Sequence, residues 1–156
     1  PEIVTPTPIE VPPPIEPLDP IEVYFICHSH TDAGWNQNYD SYYYQVIGIF
    51  KSIFDTLEVN PDFKFNWSDT NFFARWWRDQ TEETKIKVWK FVENGQFSFM
   101  GSTWVMNDES LPEYWNMFLQ METGLKFINE TFGVHPWVAW HIDPFGASAV
   151  TPAIYS

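Results

Sequence analysis

The chain has one cysteine in 156 residues, Cys27, and so cannot close an internal disulfide; cysteine usage therefore leaves the redox compartment open. Positive charge is also scarce: eight Lys and Arg stand against 21 Asp and Glu, a formal net charge of −13. A surface of that sign repels phosphate backbones and anionic headgroups, which argues against nucleic acid and membrane surfaces as partners. It is compatible with a neutral substrate such as a sugar. No apolar run approaches the roughly 20 residues needed to span a bilayer. No Lys or Arg precedes Lys51, so the charged start of an intact signal peptide is missing. The first residue is Pro1, and Ser156 directly follows a motif that opens a helix. The chain is thus expected to be a piece of a longer one, from which a leader could have been removed. Aromatic residues, by contrast, are abundant, at 19% with nine Trp. Large rings fill cores, and their apolar faces also suit the C–H faces of sugars.

Residues 1–20 hold eight of the thirteen prolines, four acidic residues and no aromatics. Proline at this density fixes an extended, unpaired backbone, so a semi-rigid linker or stem is expected there, ahead of a single domain over 21–156. From residue 21 onward, strand and helix patterns alternate. Residues 23–27 (VYFIC) form a short continuous apolar run, the pattern of a strand buried on both faces. A helix is expected from Asp40 or Ser41, with Tyr43, Val46, Ile47, Phe50, Ile53, Phe54 and Leu57 on one face. Residues 63–67 read as a second strand and 71–79 as a short helix. The next helix is capped by Thr81 and stopped by Gly95. Residues 96–100 read as a third strand. A long helix starts at 110–112 and ends at Gly133, and 137–142 read as a fourth strand.

Strands separated by helices of this length predict an α/β fold, a parallel sheet with helical crossovers. Sites in such sheets lie beyond the carboxyl ends of the strands. That rule selects three loops: His28 to Asp32, Trp104 to Glu109, and Asp143 to Gly146. In the first, His28, His30 and Asp32 alternate, and an extended backbone projects alternate residues to one side. Nitrogen and oxygen donors so placed suit Zn²⁺, with Mn²⁺ or Co²⁺ less favoured. The competing reading is a polar strand end that caps a neighbouring helix. Asp143 precedes Pro144, which biases it toward an extended conformation. That holds its carboxylate out of the strand end, either toward a cleft or as the cap of the following segment. His141, within the apolar run, fits a hydrogen-bonded core histidine better than a ligand.

In sequence order, the segments HSHTDAGW (28–35), FNWSDTNFFARWW (65–77), WVMNDE (104–109), ETGLKFINETFG (122–133) and VAWHIDPFG (138–146) resemble the motifs of glycoside hydrolase family 38 α-mannosidases. The resemblance covers about residues 22–156 and is nearest to the lysosomal and Golgi class. It implies that His30 and Asp32 are zinc ligands, that Asp143 is both a third ligand and the catalytic nucleophile, and that Trp35 and Phe145 line the mannose subsite. His28 is left beside the ligands rather than among them. The implied activity is zinc-dependent, retaining hydrolysis of α-mannosyl linkages in oligosaccharides or glycoprotein glycans. Mannose carries its 2- and 3-hydroxyls cis, a pair that one metal ion can chelate.

In this family the acid/base Asp and a remaining zinc-binding His lie further along than Ser156, so the 156-residue piece alone is expected to be inactive. Neither Asp108 nor Glu109 matches the family's acid. Ala147 stands where the family usually has His. Two other readings use the same residues: a zinc-dependent polysaccharide deacetylase-like hydrolase, and a non-enzymatic carbohydrate-binding module. Two sequons, at Asn66 and Asn129, permit routing through the secretory pathway to lysosome, Golgi or exterior.

Overall fold

The structure is a computed structural model and describes residues 20–156; the expected proline-rich stem over 1–20 lies, apart from Pro20, outside the described residues. In chain order the elements are α1 (Tyr39–Val59), β1 (Phe65–Trp67), α2 (Thr70–Arg78), α3 (Glu82–Glu93), β2 (Phe97–Phe99), α4 (Tyr114–Phe132) and α5 (Val150–Tyr155). β1 and β2 pair in parallel, with Phe65 opposite Phe97 and Trp67 opposite Phe99, and α2 and α3 form the crossover between them. The fold is thus α/β, a small parallel sheet with helical crossovers.

Local chemistry sets most helix ends. Asn38 caps α1 by accepting from Ser41 N at 2.9 Å, which starts the helix slightly before the expected Asp40. Thr81 caps α3 through Thr84 N at 3.2 Å, and α4 ends at Gly133, whose left-handed φ of 67° turns the chain out of the helix. The expected start of α4 at 110–112 is a turn instead. Glu113 makes no side-chain cap there, and the helix begins at Tyr114. Val46, Phe50, Ile53 and Leu57 on α1 pack with Trp67, Phe72, Phe73, Trp76, Phe97 and Phe99 to form the core, closed at its far side by Ile128 and Phe132 of α4. Aromatic rings dominate it, with Phe50 and Trp67 centroids 4.4 Å apart and Phe73 against Phe99 at 5.2 Å.

Two expected strands do not form ladders. Residues 23–27 run beside β1, but their order rests on Asn66 N donating to Cys27 O at 2.9 Å and a single parallel bridge between His28 and Asn66. Far from being buried on both faces, Val23, Tyr24 and Phe25 are 67%, 78% and 92% exposed. An apolar run records a preference for burial; the covering layer has to come from elsewhere in the fold. Among the described residues, the backbone hydrogen bond between 137–142 and the chain leaving β2 is the one that Gly101 N donates to Val138 O at 2.7 Å. Here the reason is the partner: after Phe99 the chain passes Gly101 (φ 63°) and Ser102 (φ 52°), two left-handed residues that turn β2 away before a ladder can grow. The Asn66 amide lies within the sheet, between Cys27 O and the Ser98 hydroxyl. Among the described residues no helix is long and apolar enough to cross a membrane.

The turn after β2 leads into the loops that carry the site. α4 lies so close to it that a Cβ on Gly124 would stand 2.1 Å from Ser102 O and 2.7 Å from Trp104 N, both backbone atoms. Farther along, Glu109 ties two loops together. Its Oε2 accepts from Ser148 N at 2.7 Å and its Oε1 stands 3.1 Å from His141 Nδ1. The Ser148 N–H, with the Thr151 hydroxyl and His141 adding to it, holds the Glu109 carboxyl below its ordinary range.

Gly124→Ala should lower the urea-unfolding free energy by about 1–3 kcal/mol, because backbone on both sides must move to admit the methyl group. At Glu109 the expected effect depends on pH. A depressed carboxyl stabilises the fold above its unfolded pKa, and that contribution disappears as pH falls through the folded value. The stability gap between wild type and Glu109→Gln should therefore be full above the ordinary glutamate value of 4.5 and close as pH drops below it, read from urea melts across pH. A gap that widened toward acid would contradict the tether.

Candidate active site

The three loops named by the strand-end rule meet. A cavity of about 30 Å³ is lined by His30 and Asp32 from the first, Met106, Asn107 and Glu109 from the second, and His141, Asp143 and Phe145 from the third. It opens into a wider groove of about 740 Å³, with which it shares Asp32, Met106, Asn107, Asp143 and Phe145; Trp35 and Asp108 line the groove but not the cavity. The groove falls within the 300–1,000 Å³ typical of small-ligand sites. Trp35 and Phe145, 76% and 78% exposed, present their rings to it. All five residues marked out in the sequence, His30, Asp32, Trp35, Asp143 and Phe145, therefore surround one depression.

His28 lies elsewhere. Its ring meets Trp140 edge-on at 5.2 Å, and it lines a different groove, against α1. His141 is half-buried, with Glu109 on Nδ1 and the Tyr155 hydroxyl 3.3 Å from Nε2, the bonded setting expected of a core histidine. Asp108 turns back to accept from Ser110 N at 2.7 Å. Glu109 is held low by the Ser148 amide, opposite to the raised pKa a proton-donating carboxyl needs.

The donor pair at the cavity has the spacing of shared ligands. His30 Nε2 stands 3.3 Å from Asp32 Oδ1. Two atoms each about 2.0–2.1 Å from a tetrahedral Zn²⁺ are roughly 3.3–3.4 Å apart, so one ion fits between them. Asp143 lines the same cavity, and its negative charge is felt at His30. Among the described residues, however, no three His, Cys, Asp or Glu side chains converge closely enough to hold an ion together.

Asp69 was not marked by sequence reasoning. It occupies the cap position of α2, yet its side chain makes no cap bond. The carboxylate is 2% exposed and faces the first loop, with Oδ2 3.3 Å from Thr31 N and 3.4 Å from His30 Nδ1. Contact with Asp69, which outweighs the opposing effect of burial, raises the His30 pKa; Asp32 and Asp143 add to the rise. A cation taken up by His30 must compete with that more firmly held proton.

Comparison with known proteins identifies the family and the fold. The family model described as the glycosyl hydrolases family 38 N-terminal domain matches residues 20–156. Alpha-mannosidase C of Dictyostelium discoideum is 39% identical over 136 residues, covering 86% of this chain and 13% of that protein. The lysosomal alpha-mannosidase of Bos taurus is 38% identical over 149 residues, covering 88% and 15%. Among solved structures, an alpha-mannosidase from Enterococcus faecalis V583 superposes with a TM-score of 0.70 at 22% identity, over 83% of this chain and 15% of that one, which establishes the shared fold. The chain thus spans about one seventh of the length of these proteins. A family model that matches nearly the whole chain, together with relatives close to 40% identity, places this chain in glycosyl hydrolase family 38, as part of its N-terminal domain.

Proposed function

We propose that the protein carrying this chain is a zinc-dependent, retaining α-mannosidase acting on terminal α-mannosyl residues of oligosaccharides or glycoprotein glycans. The observation that carries this reading is the meeting of His30, Asp32 and Asp143 at a cavity that opens into a groove walled by Trp35 and Phe145. Family membership disfavours the deacetylase-like and binding-module readings. The lysosomal relatives support routing through the secretory pathway.

His30, Asp32 and Asp143 would hold Zn²⁺. When bound, the ion would supply a coordination position for the cis 2- and 3-hydroxyls of mannose, which glucose, with that pair trans, matches less well. Trp35 and Phe145 would receive the apolar face of the ring and exclude water from it. Asp143 would attack the anomeric carbon, forming an ester to the sugar as the glycosidic C–O bond breaks. The departing oxygen takes a proton from a carboxylic acid, and water later cleaves the ester. Retaining geometry needs that acid about 5–5.5 Å from the nucleophile. The bonding of Asp108 and the low pKa of Glu109 argue against both as that acid, so it is expected from another segment of the protein.

In the full-length protein carrying this sequence, Asp143→Asn should reduce hydrolysis of an aryl α-mannoside by several powers of ten with an unchanged thermal melt, since Asn keeps the shape but is a far weaker nucleophile. More than about a tenth of wild-type rate would remove Asp143 from that role. The 156-residue chain alone should hydrolyse an activated α-mannoside no faster than buffer, because Asp32 and Asp143 stay exposed and a proton donor is lacking. Zinc-dependent turnover by that chain would instead mean that the donor is within it, and would return Asp108 and Glu109 to consideration.

A further inference from the structure

The cap position of α2 holds a buried carboxylate that the helix does not use. Caps normally direct such a side chain to the first free N–H groups of the helix. Here the first two are already taken: Thr70 N donates to Thr103 O at 3.2 Å and Asn71 N to Trp104 O at 3.0 Å. The Asp69 backbone is itself pinned, its carbonyl accepting from the buried Trp67 Nε1 at 2.8 Å. The side chain, 2% exposed, is therefore free to face the loop that contains His30 and Asp32. A buried carboxylate is costly unless donors surround it, and those on hand are Thr31 N at 3.3 Å and the ring nitrogen of His30.

From this arrangement we propose that Asp69 is a positioning residue: it keeps the proton of neutral His30 on Nδ1, so that the lone pair of Nε2 faces Asp32 and the cavity. Neutral imidazole has one donor and one acceptor nitrogen, and the acceptor must be the one that meets a cation. His30 Nδ1 is 3.4 Å from Asp69, and its Nε2 is 3.3 Å from Asp32. Each ring nitrogen faces a carboxylate, but Asp69 is 2% exposed and Asp32 46%, so water screens Asp32 and the buried Asp69 holds the proton on its own side of the ring. At 3.4 Å the Asp69 contact falls short of hydrogen-bond geometry, and among the described residues the buried Nδ1 has no other partner either. Such contacts in active sites commonly tighten when the site is filled. Thr31 N on the same oxygen holds the loop while the ring is set. Asp69 thus acts on the cation through His30, and this rests on the reading of His30 and Asp32 as a metal-binding pair.

Two measurements separate the tautomer from the metal. In the 156-residue chain labelled with ¹⁵N-histidine, free of metal and at a pH well above the ring pKa, long-range proton–nitrogen spectra resolve the tautomer of each of the four histidines, with His30 assigned by His30→Gln. His30 should be mainly the Nδ1–H form in wild type and in Asp69→Asn, whose amide oxygen still accepts that proton, and should lose this bias in Asp69→Ala. An Nε2–H form in wild type overturns the proposal whether or not any variant folds. So does an unchanged Nδ1–H form in folded Asp69→Ala, which would leave Asp69 a merely structural role.

In the full-length protein, zinc affinity by chelator competition should fall roughly 10–100-fold in Asp69→Ala, the usual effect of removing a partner of a metal-binding histidine. An unchanged affinity in that variant also overturns the proposal. Wild-type protein that takes up no zinc would overturn the metal reading of His30 and Asp32 instead, and the tautomer would still decide the part played by Asp69.

Discussion

The backbone just past β2 is gripped from two sides, and the geometry of the site depends on that grip. The carbonyls of Thr103 and Trp104 accept the leading amides of α2, and the Asn71 side chain adds a second bond to Trp104 O at 2.8 Å. From the other side α4 supplies Gln120, whose backbone carbonyl takes Trp104 N at 3.0 Å and whose side chain takes Val105 N at 3.0 Å. Ser102 and Thr103 are almost wholly buried between these helices. Donors and acceptors in such a place have to find one another, because unpaired backbone groups away from water are costly. The missing side chain at Gly124 lets the helix approach closely enough for the bonds to form.

From this segment the constraint reaches the cavity in two directions. Backward along α2, the amides satisfied by Thr103 and Trp104 release the Asp69 carboxylate toward the first loop. Forward along the chain, the loop continues to Asn107, held by Gln120 Nε2 at 2.9 Å, and to Glu109, which fastens the third loop through Ser148. The three loops are thus fixed by backbone amides and buried polar side chains rather than by a continuous sheet. Among the described residues only β1 and β2 pair as a ladder, yet the loops meet where the strand-end rule puts them. That rule survives because it depends on chain direction, and 23–28 and 137–142 still run alongside the sheet without completing it.

The aromatic content divides by position rather than by residue type. Trp67 and Trp76 fill the core, while Trp35 and Phe145 stand exposed over the groove. Both uses come from large apolar faces; what differs is whether another layer of protein or a solvent-filled depression lies opposite. The negative charge that discourages anionic partners is concentrated usefully at the cavity, where Asp32, Asp69 and Asp143 act on one imidazole.

The order of helices, the cap at Thr81, the stop at Gly133 and the placement of functional chemistry in three loops were legible in the residues, because each rests on interactions within a few positions along the chain. The helix start at Tyr114 was less so, since the turn at 110–113 gives no side-chain cap. The motifs carried the family and named His30, Asp32, Trp35, Asp143 and Phe145, which the fold gathers around one groove. Tertiary structure alone decided that VYFIC would lie exposed beside β1, that His28 would turn to Trp140 and away from His30, and that Asp69 would serve a histidine instead of its helix. Each of these depends on which distant group arrives first at a given donor or surface. A sequence sets what a side chain is able to bond, but competition among partners many residues apart is resolved only once the chain has packed.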